Sequence, residues 1–74
     1  MPAIIITGPR AIFEPDRVIE ALRHHLGVGR AEAQSLADAI HTGRTLRLPV
    51  DSDDAARAFS VALRDAGADA TIAE

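Results

Sequence analysis

The stretch Arg17–Ile40, RVIEALRHHLGVGRAEAQSLADAI, holds two amphipathic segments hinged on Gly27-Val28-Gly29. Helical projection of the first segment at about 100° per residue gathers Val18, Ile19, Ala21, Leu22, His25 and Leu26 on one side. Arg17, Glu20, Arg23 and His24 fall on the other. In the second segment Ala33, Leu36, Ala37 and Ile40 share the apolar side, while Glu32, Ser35, Asp38 and Ala39 turn away. Gly27 stands just past a helix end, where only glycine enters the left-handed region without a Cβ penalty. Gly29 then serves as the N-cap of the next helix. A connection this short makes the two helices neighbours that cross steeply.

Upstream, Ala3–Thr7 reads as a strand: three consecutive isoleucines, stopped by Gly8-Pro9. Being apolar on both faces, it belongs in the centre of a sheet. Residues 9–15 form a connecting loop, with Ile12 and Phe13 expected to fold back onto the core. Asp16 is the expected cap of the first helix, because Pro15 disfavours an earlier start. Downstream, the hairpin closes at His41-Thr42-Gly43 with a second helix-ending glycine. Thr45–Val50 alternates, Leu46, Leu48 and Val50 against Thr45, Arg47 and Pro49, and Pro49 places this strand at an edge. Asp51 or Ser52 caps a third helix with Asp53 and Asp54 in its first turn. Its buried stripe is Ala55, Ala56, Phe59, Ala62, Leu63 and Ala66, and Gly67 ends it. Ala68–Ala73 is the last strand, with Ala68, Ala70 and Ile72 inward.

The order is β-α-α-β-α-β. Two helices between the first two strands return the chain antiparallel, and one helix between the second and third makes a parallel crossover. Both connections are met when the isoleucine strand lies between the others. The predicted fold is therefore α+β, a two-layer α/β sandwich. Three helices cover one face of a three-stranded sheet with strand 1 central, and residues 1–74 form a single domain.

Composition narrows the function. With 74 residues and 47% hydrophobic content the chain can form one small core. Cysteine is absent, which removes disulfides, thiolate zinc sites and cysteine nucleophiles. A net charge of −3 argues against a general nucleic-acid binder. The apolar start lacks a charged leader, and no apolar run approaches the ~20 residues of a membrane span. The expectation is a cytoplasmic protein that binds neither nucleic acid nor membrane.

No catalytic or metal constellation is apparent. His24 and His25 are adjacent on a helix, point about 100° apart, and cannot share an ion. Asp51, Asp53 and Asp54 lack the later glycine and glutamate of a calcium loop and read as a helix cap. Gly27-Val28-Gly29 follows a helix rather than a strand, so it is not a dinucleotide fingerprint. Ser35, Ser52 and Ser60 have no nucleophile-elbow context. The sequence thus predicts neither enzyme activity nor a cofactor. Arg17, Arg23 and Arg30 are a solvated face balanced by Glu20 or, alternatively, a docking patch for an acidic partner.

Ala21-Leu22-Arg23, Gly27-Val28-Gly29, Glu32-Ala33 and Leu63-Arg64-Asp65-Ala66-Gly67-Ala68 resemble, in order and spacing, the C-terminal domain of the bacterial ribosomal stalk protein. The likeness runs from about Val18 to the C-terminus. It implies an interaction domain that docks a translational GTPase, or another acidic protein surface, through the first helix and the elbow. Arg17, Arg23, His24, Val28 and Arg30 would form that surface. Glu20 and Pro15 stand where that family usually has lysines, and Arg30 replaces an elbow leucine. The resemblance therefore implies a stand-alone relative, monomeric or weakly dimeric, rather than an ordinary stalk protein. The alternative is similarity to the adaptor of the bacterial Clp protease, which binds a peptide's α-amino group. His41 matches that family's histidine near the end of the second helix, whereas the loop after strand 1 carries only Glu14 as an acid.

Overall fold

The computed structural model describes residues 2–73. β1 (Ala3–Pro9), α1 (Pro15–Leu26), α2 (Arg30–His41), β2 (Leu46–Pro49), α3 (Asp53–Ala66) and β3 (Ala68–Ala73) follow in the expected order. β1 lies between the other two strands and pairs antiparallel with both. Ile4 faces Leu48 and Ile72, and Ile6 faces Leu46 and Ala70. The two inward isoleucines, Ile4 and Ile6, are fully buried. Ile5 points to the uncovered face, where it is half-buried between its partners Arg47 and Thr71.

The helices pack on the other face. α2 and α3 lie against β1, α3 also covers β3, and α1 packs on both helices. Phe59, Leu22, Leu63, Ile40 and Val18 meet Ile4 and Ile6 in one core. The apolar sides read from α1 and α2 are the ones that face it. Gly27, Gly43 and Gly67 all have positive φ, at 69°, 87° and 99°. Ser52 caps α3 by accepting the Ala55 N–H at 3.1 Å.

Several local expectations are corrected. Asp16 does not cap α1; the helix starts one residue earlier at Pro15, with Glu14 as N-cap and no side-chain cap bond. Proline suits this first position, where its missing N–H would have no partner in the helix anyway. β1 continues through Gly8 and Pro9, with a bulge between Ile6 and Pro9 against β3. β2 is shorter than the alternating run that announces it. Ser60 joins the buried stripe of α3 because its hydroxyl donates to the Arg57 carbonyl at 2.9 Å, so that among the described residues no buried side-chain polar atom is left unpaired.

The largest correction is in the loop between β1 and α1. Phe13 packs on the core, but Ile12 is 77% exposed. The backbone explains the split. Arg10 N–H donates to the Gly67 carbonyl at 2.7 Å and Glu14 N–H to the Ala66 carbonyl at 2.8 Å. These two bonds lay the loop on the end of α3, and alternation within it leaves room for only one of the two side chains inside.

Candidate docking surface

The elbow is built from two glycines in different conformations. Gly27 is left-handed (φ 69°, ψ 20°), and its N–H donates to the Arg23 carbonyl, closing α1. Gly29 is extended (φ −73°, ψ 167°), and its carbonyl accepts the Ala33 N–H at 2.9 Å, opening α2. Val28 between them is half-buried and packs on the core. It therefore anchors the elbow from inside and presents only part of its surface to a partner.

Around this tip stand exposed cations of unequal availability. Arg30 opens α2 and forms no ion pair among the described residues. Arg23 lies 3.6 Å from Glu20, one turn back on the same helix. Arg17 is held at 3.0 Å by the Glu14 carboxylate. Arg17 and Arg23 are six positions apart, which turns them about 120° from each other around the helix. The five residues expected to act together thus divide. Arg23, Val28 and Arg30 belong to the elbow, while Arg17 and His24 line a groove between α1 and α3.

That groove was not legible in the sequence. It has a volume of about 580 Å³ and is open because Ala21 and Ala62 face each other there with little side chain. Asp16, Glu20 and Asp65 add three carboxylates to its walls. Helical projection could have flagged Asp16 and Glu20, but only the packing of α1 on α3 brings Asp65 beside them. Three carboxylates thus face one guanidinium, Arg17, along the groove, whereas the elbow carries Arg30 at the start of α2.

The histidines serve the frame. His25 stacks on Phe59 with ring centroids 5.1 Å apart, and His24 meets it edge-on at 4.9 Å. Burial, with a smaller electrostatic contribution from the neighbouring His24, pushes the His25 imidazole below its ordinary range. His41 is exposed but stacks on Phe13 of the β1–α1 loop, centroids 5.1 Å apart and planes within 9°. One face of the candidate peptide-binding ring is therefore covered from within the chain.

Among the described residues, no set of His, Cys, Asp and Glu side chains could hold a metal ion. No helix among them is long and apolar enough to cross a membrane. No family model matches this chain, and no curated protein or solved structure matches it.

Proposed function

We propose that this chain is a protein–protein interaction domain, related to the stalk-protein C-terminal domain, that docks an acidic protein surface at the α1–α2 elbow. The reading includes a cytoplasmic setting and no catalytic step. The observation that carries it is Arg30, an exposed guanidinium without a carboxylate partner among the described residues. It sits on the N-terminus of α2, where the helix dipole adds further positive potential. Arg23 contributes a second fork that leaves Glu20 at little cost, because an exposed pair at 3.6 Å is worth only about 0.5 kcal/mol. Val28 gives the tip an apolar centre fixed by the core behind it.

The docking surface so drawn is smaller than the sequence suggests. Arg17 is left out, since it lines the α1–α3 groove beside Asp16, Glu20 and Asp65 rather than the elbow. The test is capture of a translational GTPase by the immobilised domain. Arg30→Glu and Arg23→Glu should each abolish retention, and Arg17→Ala should leave it unchanged. Retention that survives the Arg23→Glu, Arg30→Glu double variant would end this reading. Binding of a peptide with a free α-amino group that is lost on His41→Ala would instead favour the amine-binding alternative.

A further inference from the structure

The sheet has two outer edges, and they are built differently. β2 spans four residues, with Pro49 removing one N–H and Arg47 placing a charge on it. Both devices keep an edge from pairing with other strands. β3 spans six residues, Ala-Asp-Ala-Thr-Ile-Ala, with no proline and one charge. Among the described residues, no strand pairs with its outer backbone groups. Ile72 remains 44% exposed beside it although it shares the helix side of the sheet with buried Ile4.

From this asymmetry we propose that β3 is a self-association edge. Two copies pair Asp69–Ala73 antiparallel about a two-fold axis, making one continuous six-stranded sheet. The inference stands apart from the elbow reading and uses none of its residues.

Self-complementarity favours a second copy as the occupant. With the axis perpendicular to the sheet at Thr71, Ile72 lies beside Ala70 of the second copy, a large side chain next to a small one on the same face. Asp69 lies beside Ala73, and the two Asp69 carboxylates stay about 13 Å apart along the strands, beyond the screening length of physiological salt. The helices agree. Ala62 and Asp65 line the groove toward α1, so projection puts Asp53, Arg57 and Arg64 on the flank of α3 turned toward the β3 edge. A two-fold axis runs the two α3 helices antiparallel. The acidic start of one (Asp53) then lies alongside the basic end (Arg64) of the other, and the two helix dipoles oppose. A single strand pair buries an area at the small end of specific interfaces, so the dimer is weak and concentration-dependent.

Sedimentation velocity on the full chain from micromolar to millimolar concentration tests this. The expected result is a reversible rise from monomer to dimer. Ile72→Lys places two ammonium groups at the seam and should weaken dimerisation by about tenfold or more. Arg64→Glu should weaken it as well, and Asp53→Arg added to Arg64→Glu should restore it. All three positions are exposed, so far-UV circular dichroism should stay unchanged. A chain that stays monomeric at millimolar concentration overturns the proposal, as does a dimer that ignores Ile72→Lys.

Discussion

Gly27 and Gly67 look equivalent in the sequence, each ending a helix, and both are left-handed in the structure. Their surroundings differ. A methyl group on Gly27 would enter open space, whereas one on Gly67 would land on the Ile12 carbonyl oxygen and the Phe13 backbone. Gly27→Ala should therefore cost about 1 kcal/mol, the left-handed penalty alone. Gly67→Ala should cost roughly 3 kcal/mol or more, because the loop cannot give way without losing its two hydrogen bonds. Urea denaturation of the two variants measures the difference. His25 supplies a second residue-scale prediction. Its imidazole titrates lower folded than unfolded, so the unfolded chain binds the extra proton first. The neutral ring is tolerated above the unfolded value; stability falls as pH drops through that value toward the folded one. His25→Phe keeps the stack on Phe59 and should flatten this part of the pH–stability curve. An unchanged slope in that variant would assign it to other groups.

At the scale of elements, α1 and α3 start in contrasting ways. Ser52 caps α3 through its hydroxyl, so Ser52→Ala should lower stability by about 1 kcal/mol. A thermal melt with no detectable change would mean that Asp53 and Asp54 suffice to hold the first turn. α1 has no such bond and relies on Pro15 and on the Glu14–Arg17 pair. This contrast shows what the sequence could convey. Ser52 was readable because cap, first-turn acids and apolar stripe agree within one short segment. The order of elements was readable for the same reason, since glycine and proline mark every boundary. Ile12 was not. Whether it or Phe13 turns inward is decided by backbone bonds to Ala66 and Gly67, more than fifty residues away in the chain. The division of the arginines was likewise hidden, because projection gives directions around one helix and says nothing of what packs beside it.

For the whole molecule, one covered and one open sheet face set the tolerance of β1. Ile4 and Ile6 are sealed beneath the helices, so Ile4→Ala or Ile6→Ala should cost about 2–5 kcal/mol. Ile5 borders solvent on the other side, and Ile5→Thr should cost less than about 1 kcal/mol. Chemical denaturation distinguishes these outcomes. Equal losses at all three positions would mean that the open face is covered in solution.

The central place of β1 also governs how the chain can assemble in time. Ala3 is paired with Ala73, and Ile4 with Ile72, so each β1–β3 contact joins opposite ends of the chain. The α1–α2 hairpin can form from neighbouring residues, but the sheet must wait for the longest loop closure available. Such non-local pairing slows folding. The same register leaves Ala3 and Ala73 side by side. A circular permutant that links them by a short turn and opens the exposed 42–45 connection converts β3–β1 into a hairpin. It should refold faster than the parent at similar stability, because the β1–β3 pairing becomes local in sequence while the contacts do not change.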